Sequence, residues 1–427
     1  MLRLCTTKNI KNGKYDKNLL TSHFIFVGLS VSIKKGDLTM GEAWTRSQNE
    51  VLSTLQDVVA IESINPGLPG GDRGESFMVE YLSHFFREAG LSYKTGEVLP
   101  GRSNIISTLE GQNLDRILLF ECHLDTASVG VMTIPPFEPH IRDGYLYGRG
   151  SCDTKAGGVA MIHAMKRLKE TGQKPPCTIQ FAGAVDEEYL FRGARHLAAN
   201  LEPVAVVVAE PTELKVIRAH KGLIRFRIRV EGVAAHSSKP FLGVNAITKM
   251  ARLINNIERD VVLSFQNKNH PLTGGPTLNI GLIHGGDQVN FVPNECVIEV
   301  ERRVIPGENP EETLGKFHEV LSHAQADDPS LKVSLEKPFL IDSPMDTPEA
   351  SPIVRISSEA TRGILGSSTI AGVPYGTDAS KFTTVGIPAI VFGPGSIDQA
   401  HGAVEWVECE QVLQAVDIYQ SMMINFE

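Results

Sequence analysis

Apolar residues recur every three or four positions over residues 44–61, at Val51, Leu52, Leu55, Val58 and Val59, and again over 78–86. Each stretch predicts a helix with one buried face. Residues 116–120, 178–185, 204–209 and 387–392 are instead short, nearly continuous apolar runs, the pattern of strands covered on both sides. A helical period over 159–168 separates the first two runs, and another covers 411–422. Strands alternating with helices in this way predict an α/β sheet with helices on both faces.

From about Val216 the pattern differs. Residues 223–230 alternate apolar side chains with Arg225, Arg227 and Arg229, the period of a strand with one wet face. A helix over 245–257, strands over 277–283 and 295–304, a helix over 311–324 and a strand over 331–336 complete a β-α-β-β-α-β order, that of a ferredoxin-like unit. The run at 387–392 then returns to the uninterrupted apolar character of the first strands, so the unit reads as an insertion. A chain of 427 residues exceeds the length over which one hydrophobic core usually grows, about 250 to 300 residues. The expected fold is therefore a mixed-sheet α/β domain, residues 40–215 and 339–427, with an inserted ferredoxin-like α+β domain over 216–338.

Residues 1–39 stand apart. Lys8, Lys11, Lys14 and Lys17 precede an apolar run at 24–33, but no small-x-small cleavage site follows and Lys34 and Lys35 end the run. That segment is expected to be disordered, or to lie upstream of a true start at Met40. Ten apolar positions are also too few to span a bilayer, so no membrane partner is expected. A formal net charge of −9 disfavours nucleic acid, whose binding needs clustered Lys and Arg. The six cysteines (Cys5, Cys122, Cys152, Cys177, Cys296, Cys409) show no CxxC spacing, which argues against a disulfide framework and a thiolate metal site and suits a reducing cytoplasm.

The chemistry lies where acidic and histidine residues follow the predicted strands. Residues 118–120 run into Glu121-Cys122-His123-Leu124-Asp125, 179–185 into Asp186-Glu187-Glu188, and 206–208 into Ala209-Glu210. In an open α/β sheet, ligands gather beyond the carboxyl ends of the strands, so these groups are expected to converge. His123 and Asp125, two apart on an extended segment, share a face, which lets Asp125 steer the imidazole nitrogen not bonded to a metal. Taken alone, His123 reads more readily as a satisfied structural histidine, and the loop Gly148-Arg149-Gly150-Ser151-Cys152-Asp153 shifts the balance toward a ligand. Asp153, in Gly148-Arg149-Gly150-Ser151-Cys152-Asp153 before a helix, reads as an N-cap or as a ligand. Glu187 and Glu188 enter from one turn facing different ways, so one can ligate while the other holds a proton; a solvated loop is the plain alternative.

These residues extend into a longer set: His123-Leu124-Asp125-Thr126, Gly148-Arg149-Gly150-Ser151 with Asp153, Asp186-Glu187-Glu188, Glu210-Pro211-Thr212, His220-Lys221-Gly222 leading to Ala235-His236-Ser237, and His401-Gly402. In this order they resemble the acetylornithine deacetylase, succinyl-diaminopimelate desuccinylase and carboxypeptidase G group of two-zinc hydrolases, over residues 44 to 427. The resemblance implies two zinc ions, with cobalt or manganese as alternative occupants. Asp153 would bridge them, His123 and Glu210 would complete one site, and Glu188 and His401 the other. It further implies Glu187 as general base, Asp125 as the residue that orients His123, and His236 as an oxyanion donor supplied by a partner subunit. Asn290 and Arg303 would contact the far end of the substrate, although Arg303 also reads as a surface arginine; Gly376 and Thr377 would belong to a substrate loop. The main domain becomes the catalytic one and the insertion a lid or dimerisation domain. Cys122, Ala127-Ser128 and Thr154 depart from the group's usual residues, and none removes a ligand.

The implied activity is cleavage of the acyl-amide bond of an N-acyl amino acid, of the acetylornithine deacetylase type, by a cytoplasmic homodimer. A dipeptidase or carboxypeptidase on the same scaffold is the alternative. A urea-type amidohydrolase and a binding protein that has lost the reaction stand further off, since all five ligand positions and Glu187 are filled.

Overall fold

The structure is a computed structural model in which residues 44–427 are described; the segment 1–39 and Cys5 lie outside the described residues. The first helix, Arg46–Ala60, starts where Thr45 accepts the Gln48 N–H and the Gln48 side chain accepts the Thr45 N–H, a reciprocal cap written in the sequence as T-x-x-Q. Its buried face is Val51, Leu52, Leu55, Val58 and Val59.

A nine-stranded mixed sheet forms the larger layer. Across it run Ser92–Leu99, Arg102–Leu109, Cys177–Ala184, Asn113–His123, Ala205–Val208, Ala389–Val391, Val216–His220 and Met345–Asp346, with Ile370–Val373 also paired to Val216–His220. The four central strands, Cys177–Ala184, Asn113–His123, Ala205–Val208 and Ala389–Val391, are mutually parallel. Their carboxyl ends therefore open on one side. Helices Arg46–Ala60, Ser76–Glu88, Lys155–Thr171, Pro352–Leu365 and Cys409–Asn425 bury one core with the sheet, and Arg192–Asn200 and Ala379–Thr384 bury another with residues such as Leu119, Val206 and Val391. Burying each such Leu, Val or Phe stabilises the layer by about 1.5 to 3 kcal/mol. Where Cys122 is packed by helix Lys155–Thr171, the helix carries Gly158, whose Cβ would lie 2.6 Å from the Cys122 sulfur. Cys122 thus fits without displacing the strand end that carries His123.

The smaller sheet is built as the alternation predicts. Strands Gly222–Glu231, Thr277–Gly285, Glu295–Val304 and Lys332–Leu335 are antiparallel in the order Thr277–Gly285, Glu295–Val304, Gly222–Glu231, Lys332–Leu335, with helices Ala246–Leu263 and Pro310–Asp327 on one face. Ile224, Phe226, Ile228 and Val230 point into that core. The alternate residues form a ladder of ion pairs across the register: Arg225 with Glu301 at 2.7 Å, Arg227 with Glu299 at 2.8 Å and Arg229 with Glu336 at 2.9 Å. The limits expected for this unit shift. Val216–His220 pairs with Ile370–Val373 in the larger sheet, so the chain changes sheets at Lys221-Gly222 rather than at 216. Leu340–Asp342 still pairs with Gly222–Glu231, carrying the unit past 338. The reason is geometric: only Lys221 separates the strand ending at His220 from the strand beginning at Gly222, and hydropathy does not register a change of partner.

Several elements escaped the sequence pattern. Ser92–Leu99 is an edge strand with largely exposed residues, and Arg192–Asn200 is only nine residues long. The five cysteines among the described residues are buried and unbridged. No helix of the described residues is long and apolar enough to cross a membrane.

One core feature has a measurable pH signature. His163 is 3% exposed, and its Nε2 lies 2.9 Å from the Thr54 hydroxyl. Burial depresses its pKa to about 4. Below the unfolded value of about 6.5 the unfolded chain takes up a proton that the native chain refuses, so stability falls as pH drops from about 6.5 to about 4. The depression corresponds to a loss on the order of 3 kcal/mol. Urea unfolding between pH 7 and 4 will show this slope, and His163→Gln will flatten it; an equal slope in both proteins would refute the assignment.

Candidate metal centre

The strand ends deliver their side chains to one place. His123 ends Asn113–His123, Asp186-Glu187-Glu188 follows Cys177–Ala184, and Glu210 follows Ala205–Val208. His123 Nε2 lies 3.0 Å from Asp153 Oδ1 and 3.9 Å from Glu210 Oε1. His401 Nε2 lies 3.3 Å from Asp153 Oδ2 and 3.0 Å from Glu188 Oε2. Thus the two oxygens of Asp153 face one histidine each. In each triad, His123-Asp153-Glu210 and Asp153-Glu188-His401, the ligand atoms all lie within 4.8 Å of one another. The five residues expected to ligate are brought together.

Asp153 does not cap the helix that follows: Thr154 is the N-cap residue and makes no side-chain cap bond, while both Asp153 oxygens turn to the histidines. Glu187 and Glu188 are not a solvated loop either; the Glu188 side chain is 6% exposed. The Glu187 carboxylate accepts no hydrogen bond among the described residues. Burial, with Asp378, Glu188 and Asp153 adding to it against the pull of His123, pushes its pKa well above the usual carboxylate range. Burial also raises Glu210, and the Asp153 and Glu187 charges raise it further. Four converging carboxylates and two imidazoles are short of positive charge, and in low dielectric that shortage is severe. A proton or a cation between each imidazole and its carboxylates relieves it. Oxygen and nitrogen donors with no thiolate suit a divalent cation such as zinc. The nearby Cys122 thiol bonds the His123 and Thr154 carbonyls instead.

Asp125 works differently from expectation. The His123 Nδ1–H donates to the main-chain carbonyl of Asp125 at 2.9 Å, leaving Nε2 as the lone-pair nitrogen, while the nearest Asp125 carboxylate oxygen is 3.8 Å away. That carboxylate accepts the Glu187 and Glu188 N–H groups at 3.1 and 3.0 Å and the Asn65 amide at 2.6 Å. Asp125 therefore steers the imidazole through its backbone and holds the glutamate turn through its side chain.

Further supports were not foreseen from the sequence. Buried Glu405 accepts the Cys152 and Asp153 N–H groups at 2.9 and 3.1 Å and Arg149 Nη1 at 2.6 Å, tying the His401 loop to the Gly148–Asp153 loop. Tyr375 has an enclosed hydroxyl with no partner among the described residues; burial and then Glu210 and Asp153 push its pKa up, so it remains a donor. The only advance signal for Glu405 was its position four residues beyond His401.

Among the described residues, the remaining expected ones make no hydrogen bond to the triads. His236 is exposed, and its Nδ1 accepts the Ser238 N–H at 3.1 Å, which places the ring proton on Nε2. Asn290 is exposed and bonds Ser237 through its carbonyl at 3.0 Å. Arg303 Nε is 2.7 Å from Glu301 on the ion-pair face of the smaller sheet. Gly376 packs where a Cβ would meet Asp342 Oδ2 at 2.9 Å, and buried Thr377 turns its hydroxyl to the Ala379 N–H at 3.2 Å.

A mixed sheet that gathers two carboxylate–histidine triads around one shared aspartate, beyond its parallel strand ends, defines a metallohydrolase. The model for Peptidase family M20/M25/M40 matches residues 119–425, and the chain belongs to that family. It is a hydrolase of amide bonds. An acetylornithine deacetylase of Vibrio campbellii is 29% identical over 385 residues, covering 88% of this chain and 98% of the relative. Among solved structures, a tripeptidase from Staphylococcus aureus superposes with a TM-score of 0.73 at 23% identity, over 88% of this chain and 97% of its own. A Bacillus subtilis protein described as a dinuclear metal-binding peptidase gives 0.66 at 14%, over 88% and 98%.

Proposed function

We propose that this enzyme removes the acyl group from the nitrogen of an N-acyl amino acid, in the manner of an acetylornithine deacetylase, with two Zn2+ at the paired triads. The division of the Asp153 oxygens between His123 and His401 carries the reading, because it sets two ligand groups around one carboxylate. A full-length likeness to an acetylornithine deacetylase supports the substrate class.

Asp153 would bridge, with His123 and Glu210 on one side and Glu188 and His401 on the other. When bound, zinc supplies Lewis acidity toward a carbonyl and lowers the pKa of water to about 7. Glu187, beside the triads but bonded to neither histidine, takes a proton from the attacking water as the oxygen–carbon bond forms. It then gives that proton to the amide nitrogen as the carbon–nitrogen bond breaks, releasing an amino acid and a carboxylate. His236, with its proton on Nε2, is suited to donate to the developing oxyanion. Its exposed position on the smaller sheet's loops suits delivery to a partner's site, so we propose a homodimer formed through the inserted domain. Arg303 would fork onto the substrate carboxylate, with Asn290 and the Gly376-Thr377 loop beside it.

A panel of acetyl-amino acids, succinyl-amino acids and dipeptides, assayed after metal analysis, tests this. The expected result is the highest kcat/KM on an acetyl-amino acid, loss of activity on chelation, and recovery with zinc, cobalt or manganese. Preferential dipeptide cleavage would replace the deacylase with a dipeptidase, and activity that survives complete metal removal would sink the mechanism.

A further inference from the structure

Asp186, Glu187 and Glu188 form one turn, and each of their N–H groups is accepted by a buried carboxylate. Glu75 Oε1 takes the first at 3.2 Å, and Asp125 takes the other two. Asp186 sits at φ +74°, the left-handed region that a non-glycine residue occupies at a cost. Its surroundings must hold it there. Arg102 grips Glu75 with Nε and Nη2 at 2.7 and 2.5 Å and reaches Asp186 Oδ1 with Nη1 at 3.2 Å. Arg192 clamps the same carboxylate from the other side at 2.5 and 2.9 Å. Asn65 bridges Asp186 Oδ1 and Asp125 Oδ2 at 3.1 and 2.6 Å. Glu75 and Asp186 are fully buried and the Arg102 side chain is 11% exposed, so solvent offers these groups no substitute partners.

We propose that Arg102, with Glu75 and Asn65, is a positioning element that fixes the direction of Glu187 and Glu188 by clamping the Asp186 turn. None of the three makes a hydrogen bond to His123, Asp153, Glu210 or His401. Arg102 acts through two carboxylates: one accepts the turn's first N–H, and the other is the turn's own side chain. Lysine retains the charge but cannot grip Glu75 at two points and reach Asp186 as well. The inference rests on the metallohydrolase reading, and its test includes an arm that needs no substrate.

Full-length wild type, Arg102→Lys, and the double variant Glu75→Gln/Arg102→Gln, which removes both buried charges together, are to be compared. In the first arm, Co2+ is titrated into metal-free protein and followed by its visible absorption. Arg102→Lys is expected to weaken the weaker-binding cobalt about tenfold and to shift its bands, because Glu188 rides on the turn. In the second arm, kcat per metal-loaded site falls about ten- to hundredfold while KM stays within about twofold. The double variant reports the same changes should Arg102→Lys fail to fold. Lower thermal stability with unaltered cobalt spectra and unaltered kcat per loaded site, in whichever variant folds, would overturn the proposal and leave a purely structural ion pair. A cobalt response in a protein that cleaves nothing in the panel would uphold the clamp while refuting the proposed substrate class.

Discussion

Glu187→Gln will bind two metal ions and fold as the wild type does, yet lose about 100- to 10,000-fold in kcat with little change in KM. The side chain keeps its size and its place on the turn, where the main chain is held by Asp125. What disappears is a carboxylate able to accept a proton and return it, a contribution of that magnitude for a placed general base. Burial favours the protonated form of Glu187, which makes it a stronger base than a surface glutamate, while cations at the paired triads would offset the share of that raise that comes from the neighbouring carboxylates. Steady-state kinetics with metal analysis on the same sample checks this. A variant within threefold of wild type would remove Glu187 from the reaction.

His236→Ala will cost about 100- to 1,000-fold in kcat, the usual loss for one oxyanion donor. Its more informative outcome comes from mixing. With His236 serving the partner's centre, a mixed dimer of Glu187→Gln and His236→Ala chains has one site with both groups intact. Random exchange makes half the dimers mixed, each with one of two sites working, so about one quarter of wild-type activity returns from two inactive proteins. No recovery, with exchange of subunits demonstrated by mass, would place His236 in its own chain's site or outside the reaction.

The convergence of His123, Glu188 and Glu210 was legible because they follow strands whose apolar runs announce them, and parallel strands must open on one side, whereas Asp153 and His401 follow no strand and joined the set only through the family resemblance. Asn65, Glu75, Arg102 and Glu405 carried no such mark. They act on the site across 60 to 253 positions of chain, through hydrogen bonds that impose no period on the residues around them. The division of labour in Asp125 was equally hidden, since a two-residue spacing states which face a side chain occupies and says nothing of whether its backbone or its carboxylate makes the bond. The smaller sheet was read well from its Arg and apolar alternation, whereas its limits were not, because a single residue, Lys221, separates a strand of one sheet from a strand of the other without a change in hydropathy.

Glu405 has a bearing on how the enzyme comes into being. Translation supplies His123, Asp153, Glu188 and Glu210 long before residue 401, so a nascent chain can offer one complete triad while the other still lacks its histidine. The brace on the Asp153 backbone arrives later still, when Glu405 leaves the ribosome and settles against Arg149. The paired centre is therefore complete only once the C-terminal segment has returned to the sheet, and a chain ending before residue 401 keeps the two carboxylates of the second triad without its histidine.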